Sequence, residues 1–157
     1  MTAEETIVSG FQDKFANLAG KIRVARQRRI FIEGVDHLNF SEVFDYAVRE
    51  PGFSILLTIT GLDEGQTLGF IYHMARPDGI ILNIKTSVPK ERPVLKTVCR
   101  TFPGAENYER EVADLLGAVI EGLPEGKRYP LPDDWPAGQY PLRKDWKPET
   151  KDEKETQ

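Results

Sequence analysis

The 157-residue chain has one cysteine, Cys99, and two histidines, His37 and His73. A single thiol cannot close an internal disulfide, and a cysteine-built zinc or iron–sulfur site within the chain is excluded with it. Neither histidine has a second ligand at metal spacing, so both read as ordinary surface or sheet residues. No stretch approaches the roughly 18–20 consecutive apolar residues needed to cross a bilayer. Basic residues are not in excess: 21 Lys and Arg stand against 25 Asp and Glu, a net charge of −4, which argues against a nucleic-acid-coating protein. The start, Met1-Thr2-Ala3-Glu4-Glu5, lacks the basic-then-apolar order of an export signal, so the cytoplasm is the expected compartment. Gly61 and Gly65 are not followed by the Lys-Ser/Thr of a phosphate loop, and no internal repeat is present. What remains, with 39% hydrophobic and 29% charged residues, is the composition of one folded domain.

Periodicity then supplies elements. Ile7, Phe11, Phe15 and Leu18 recur at helical spacing across residues 3–19, Thr2 and Glu5 have the spacing of a capping box, and Gly20 is a stop. Lys21 to Ile32 carries β-formers at both ends and reads as one or two strands around a polar turn. A second helix starts at Asn39, presents Phe40, Val43, Phe44, Ala47 and Val48 on one stripe, and ends at Pro51-Gly52. Three strand-like runs follow, at residues 53–60, 66–75 and 80–88. Phe53, Ile55, Leu57 and Ile59 alternate with polar residues in the first, and Leu68, Phe70, Tyr72 and Met74 share a face in the second. Short Gly- and Asp-containing links predict antiparallel pairing. The fold class expected is α+β: a two-layer domain with a mainly antiparallel sheet receiving helices on one face. A third helix follows Phe102-Pro103-Gly104, with Tyr108, Val112, Leu115 and Leu116 as its apolar stripe and Gly117 as its end. Its polar face is crowded with Glu106, Glu109, Arg110, Glu111 and Asp114.

Beyond Glu121 regular structure ceases to be expected. Six of the eleven prolines and both tryptophans lie in the last 34 residues. A proline-rich linker needs no large aromatics, yet this segment carries Tyr129, Leu131, Trp135, Tyr140, Leu142 and Trp146. Each forgoes burial worth roughly 1.5–3 kcal/mol if left in water. Two arrangements account for them: the arm folds back over its own sheet, or it lays aromatic anchors into grooves of a partner, with proline lowering the entropy lost on docking.

The same residues carry a family resemblance. Glu91-Arg92-Pro93, Phe102-Pro103-Gly104-Ala105, Tyr108-Glu109-Arg110-Glu111 with Asp114 and Gly117, Glu121-Gly122, Leu131-Pro132-Asp133-Asp134-Trp135 and Tyr140-Pro141-Leu142-Arg143-Lys144-Asp145 run in the order and spacing of one family. The chain resembles the C subunit of respiratory complex I (NADH-quinone oxidoreductase) and its homologues in membrane-bound, energy-converting nickel–iron hydrogenases. It departs from the complex I form at Asn107, at Leu115-Leu116, at Leu123-Pro124 and at Lys127-Arg128-Tyr129-Pro130, and these versions look more like the hydrogenase branch. The resemblance implies a peripheral-arm subunit, on the cytoplasmic side of the membrane, with no redox centre of its own. It implies docking on a hydrogenase-like large subunit and a small iron–sulfur subunit, which would hold the nickel–iron centre and the iron–sulfur clusters, and only indirect contact with membrane subunits. The alternative it leaves open is the equivalent subunit of an NADH-quinone or other complex I-like complex.

On this reading residues 1–100 form a platform, residues 101–146 supply the motif helix and a partner-wrapping arm, and residues 147–157 are a disordered polar tail. No catalytic, cofactor-binding or metal-ligating residue is expected. The expected partner-binding residues are Tyr108, Glu109, Arg110, Glu111, Asp114, Tyr129, Trp135, Tyr140, Leu142, Arg143 and Trp146. Glu106–Arg110 and Arg110–Asp114 both have the i,i+4 spacing of helix ion pairs, so the charges fit a solvated helix face as well as a set of charged hydrogen bonds to the arm or a partner. The basic run Lys21, Arg23, Arg26, Arg28 and Arg29 reads either as a protected strand edge or as an anion-facing surface. Cys99 beside Arg100 reads as a small hydrophobe.

Overall fold

The computed structural model describes residues 1–149. Most of the tail expected at 147–157 therefore lies outside the described residues. The first helix, α1 (Ala3–Lys14), opens on the capping box that its sequence encodes: the Thr2 amide donates to Glu5 Oε2 at 2.7 Å and the Glu5 amide to Thr2 Oγ1 at 3.2 Å. It stops before the expected residue 19, because Phe15 leaves helical geometry to set its ring edge-on against Tyr46, with centroids 5.4 Å apart. A single 3-10 turn (Ala16–Leu18) then tucks Leu18 into the core.

Strands β1 (Ile22–Arg26) and β2 (Arg29–Asp36) form the hairpin expected from the β-formers at 22–32. At its turn Arg28 sits at φ 61, and its amide donates to the buried Glu4 carboxylate at 2.7 Å. That bond holds Glu4 below the usual carboxylate range and ties the start of α1 to the hairpin. Helix α2 (Phe40–Arg49) buries Phe40, Val43, Phe44 and Ala47, and Pro51-Gly52 follows its end. Strands β3 (Ile55–Asp63), β4 (Thr67–Ala75) and β5 (Ile81–Pro89) then pair antiparallel in sequence.

The sheet is five-stranded in the order β1-β2-β5-β4-β3, with one parallel joint, β2 to β5, among antiparallel ones. The α+β, mainly antiparallel expectation holds. Successive residues alternate across it: Ile30, Ile32, Tyr72, Met74, Leu82 and Ile84 face the helices and are buried. Phe40 packs on Tyr72 at 4.5 Å between centroids and Phe44 on the same ring at 5.7 Å, which places α2 over the sheet centre. Burial lifts the Tyr72 phenol well above its ordinary range, with the Glu109 charge adding to it.

One strand departs from its sequence pattern. Phe53 and Ile59 are buried, but Ile55 is 46% exposed and Leu57 42%. The register slips between Leu56 and Thr58, a β-bulge that adds one residue and turns the alternation over. Ile55 and Leu57 consequently lie on the face opposite the helices.

Two further elements complete the fold. Helix α3 (Ala105–Leu116) lies against β3, where the missing side chain of Gly61 leaves room for Val112 and Leu116. Its Ala105, Val112 and Leu116 belong to the same core as the sheet, so the motif helix is built into the platform. Short strands β6 (Val94–Lys96) and β7 (Val119–Glu121) pair in parallel on either side of it.

Candidate functional site

The charged motif sits on α3, and its residues divide by helical phase. Ala105, Glu109, Val112 and Leu116 form the inward stripe. Glu109 is thereby 0% exposed, although its composition suggested the polar face. Its carboxylate accepts from Thr97 Oγ1 at 2.6 Å, from the Val98 amide at 2.7 Å and from Cys99 Sγ at 3.2 Å. Glu109 thus clamps its own segment 97–99 and presents nothing outward, which corrects its assignment as a surface contact. Burial, with the neighbouring Glu109 charge, pushes the Cys99 thiol up to about 11. Tyr108 and Leu115, placed on the buried stripe by sequence, are half-buried.

Arg110 donates through Nε and Nη2 to Glu106 Oε1, at 3.1 and 2.8 Å, and through Nη2 to the Pro124 carbonyl. The second expected ion pair, Arg110 with Asp114, does not form. Asp114 instead accepts from Arg128 Nε at 3.0 Å and from the Leu131 amide at 3.2 Å. Both partners lie on the arm, and a carboxylate taking one charged and one backbone donor is a strong directional anchor. Arg128 also donates to the Trp135 carbonyl at 2.9 Å. Gln139 holds the two tryptophans together, its carbonyl accepting from Trp135 Nε1 at 2.9 Å and its side-chain oxygen from Trp146 Nε1 at 3.3 Å, with ring centroids 6.0 Å apart.

The arm then returns to the end of α3. A helix leaves its last carbonyls without internal partners, and here the arm supplies two of them. The Leu142 amide donates to the Leu115 carbonyl at 3.0 Å and Arg143 Nε to the Leu116 carbonyl at 2.7 Å. Gly117 makes this approach feasible: its φ is 78, and the space a side chain would fill is taken by Tyr140 and Arg143, whose guanidinium stacks 4.7 Å from the Tyr140 ring. One step further, the Lys144 amide donates to Asp63 Oδ2 at 2.8 Å, and Lys90 bridges Asp63 at 2.8 Å and Asp145 at 3.0 Å. The hydrogen bond from Lys90, then those from the Lys144 and Gly65 amides, hold Asp63 far below the ordinary carboxylate range. Asp63 and Lys90 belong to the platform and were not singled out in the sequence; their partners on the arm, Lys144 and Asp145, are 81 and 55 residues away.

Of the residues expected at a partner surface, Glu109 faces inward, and Arg110, Asp114 and Arg143 are engaged in seating the arm. Glu111, Tyr129 and Leu142 point outward, the last two 47% and 55% exposed, with Tyr108, Trp135, Tyr140 and Trp146 half-buried. The arm is thus folded on its own domain, with Tyr129 and Leu142 as the large apolar side chains on its outer side. Among the described residues no group of three or more His, Cys, Asp and Glu is placed to hold a metal ion, and no helix is long and apolar enough to cross a membrane.

Residues 34–152 match the family model described as respiratory-chain NADH dehydrogenase, 30 Kd subunit. The membrane-bound hydrogenase subunit beta of Pyrococcus furiosus is 30% identical over 155 residues, covering 94% of this chain and 88% of that protein. The C subunit of the F(420)H(2) dehydrogenase of Methanosarcina mazei is 32% identical over 144 residues, covering 90% of each. Among solved structures, a chain of the archaeal membrane-bound sulfane sulfur reductase superposes with a TM-score of 0.80 at 28% identity, covering 91% of this chain and 85% of that one.

Proposed function

Because the chain belongs to the family of the respiratory-chain NADH dehydrogenase 30 Kd subunit, we propose that it is a non-catalytic peripheral subunit of a membrane-bound, ferredoxin-linked nickel–iron hydrogenase. It docks on the hydrogenase large subunit and the small iron–sulfur subunit and holds the electron-transfer module together. The observation that carries this reading is the near end-to-end match with a membrane-bound hydrogenase subunit, 94% of this chain against 88% of that one. The geometry supports a docking role. The carboxylates of Glu106, Glu109 and Asp114 are taken up by donors of the chain itself, and the side chains left facing out, Tyr129, Leu142 and Glu111, have the mixture of apolar anchors and rim charge that protein interfaces use. The nickel–iron centre and iron–sulfur clusters belong, on this reading, to the partners, and this chain contributes register between them.

The structural likeness to the sulfane sulfur reductase favours a second reading, the same role in a complex I-like assembly without a hydrogenase site. One experiment separates the two. Purification through a tag on this chain, from membranes of its host, is expected to bring down a large subunit and a small iron–sulfur subunit in equal amounts, with nickel by elemental analysis. The same subunits without nickel would establish the second reading, and a chain recovered alone would overturn both.

A further inference from the structure

The helices cover one face of the sheet, and the opposite face carries a concave strip that no element among the described residues covers, only the Arg23 guanidinium lying over its Phe31 ring at 4.5 Å. The strand register defines it: Arg29, Ile81, Ala75 and Ile55 lie in one row across β2, β5, β4 and β3. In the next row Phe31, Asn83, His73 and Thr58 follow in the same order, with Leu57 thrown alongside by the bulge. Arg29, Ile81, Phe31, Asn83, His73 and Thr58 of these rows line one groove together with Leu57, and Ile55 lies at the outer end of the first row. Ile55 and Leu57 are exposed by 46% and 42%, and Phe31 and Ile81 are half-buried on the same face. The polar groups in the middle are already satisfied by one another. His73 Nδ1 meets Asn83 Oδ1 at 2.6 Å, His73 Nε2 meets Thr60 Oγ1 at 2.8 Å, and Asn83 Nδ2 donates to the Ile30 carbonyl at 3.0 Å. That chain of bonds keeps the centre of the face rigid and lets an apolar group cover it without orphaning a donor.

The charge around the groove selects its occupant. Arg26 and Arg29 line it and no acidic residue does. Among the described residues neither arginine forms an ion pair, although the chain as a whole carries a net charge of −4. A second copy of this chain would bring the same basic rim to the contact, which like-charge repulsion opposes. We propose that this open sheet face is a second docking surface, opposite the helices, for a segment of a partner subunit that carries apolar side chains flanked by carboxylates. The apolar side chains would cover Ile55, Leu57 and Ile81, and the carboxylates would meet Arg26 and Arg29. The proposal rests on the docking role given above, and it adds a surface that the arm does not supply.

The test places p-benzoylphenylalanine at Leu57 in the full chain, with a separate probe at Leu142 on the arm, in the complex purified from host membranes and irradiated. The expected result is a Leu57 cross-link to one partner subunit, mapped by mass spectrometry to a stretch with apolar residues and net negative charge. In a complex rebuilt from its subunits, the double variant Arg26→Glu, Arg29→Glu is expected to bind about tenfold more weakly at low salt, with the difference shrinking as salt rises. Capture at Leu142 but not at Leu57 would overturn this inference and leave the docking role standing; capture at neither would remove both. Cross-links from Leu57 to lipid or to a second copy of the chain, or an affinity unchanged in the double variant, would also overturn it.

Discussion

Glu109→Ala offers the sharpest test of the reading of the charged motif, because a surface role and an internal one predict opposite results. Truncation removes the acceptor of the Val98 amide, which is buried, and of the Thr97 hydroxyl, which is half-buried. A buried donor left without a partner costs about 1–3 kcal/mol. Counting Val98 fully and Thr97 in part, and adding the small void left in a 0%-exposed site, the loss is about 3 kcal/mol. For a domain of this size that corresponds to a fall in melting temperature of about 6–12 °C. Glu109→Gln keeps an oxygen for the Val98 amide, and its carboxamide N–H can donate to Thr97 Oγ1 once that hydroxyl turns, so the cost drops to about 1 kcal/mol. Guanidinium unfolding followed by circular dichroism measures both. Adding Thr97→Val in the Ala background should cost less than it does in the parent chain, because the acceptor is already gone. An alanine variant within about 1 kcal/mol of the parent, or a glutamine variant as unstable as the alanine one, would refute the clamp and return Glu109 to the surface role its composition suggested.

Two further outcomes follow from the arm. Gly117→Ala forces a left-handed backbone on a residue with a Cβ, a cost of about 1–2 kcal/mol. It also brings a methyl to 2.6 Å from Tyr140 and 2.8 Å from Arg143, so the arm should unseat and trypsin should cut within residues 121–146 faster than in the parent chain; an unchanged cleavage rate would contradict the seat described for Tyr140 and Arg143. The acid limb of stability should show the clasp around Asp63. Its folded-state value is depressed, so its contribution is present above the unfolded value of about 3.9 and is lost as pH falls through the lower folded value. Lys90 is raised by its bonds to Asp63 and Asp145, so its contribution is present below about 10.4 and fades only as pH climbs past that. Protection of the Lys144 amide in deuterium exchange is therefore expected to hold from pH 5 to 9 and to decline only progressively as pH falls below about 4 towards the lower folded value; a clasp already open at pH 5 would contradict the assignment.

Local features were legible in the sequence because their causes are local. Thr2 and Glu5 make a capping box with each other, and the alternation of Leu68, Phe70, Tyr72 and Met74 survives because β4 is central and regular. The features missed have their causes elsewhere in the chain. Ile55 and Leu57 changed face through a bulge that no neighbouring residue announces. Glu109 looked like surface charge because its three donors come from segment 97–99, around the turn before α3. The aromatics and prolines of the arm advertised a covered segment. Its seat was not legible, since backbone carbonyls at Leu115 and Leu116 have no residue signature. The parallel pairings of β2 with β5 and of β6 with β7 are non-local for the same reason.

The return of the arm to Asp63, across 81 residues, also orders events in time. The groups it grips do not exist as a set in an unfolded chain: the free carbonyls at the end of α3 appear only once that helix has formed, and Asp63 reaches Lys144 only once β3 has docked beside it. Closing so long a loop gains nothing until its landing site is built. Seating of the arm thus depends on α3 and β3 being in place, and the face it turns outward exists only on a folded platform.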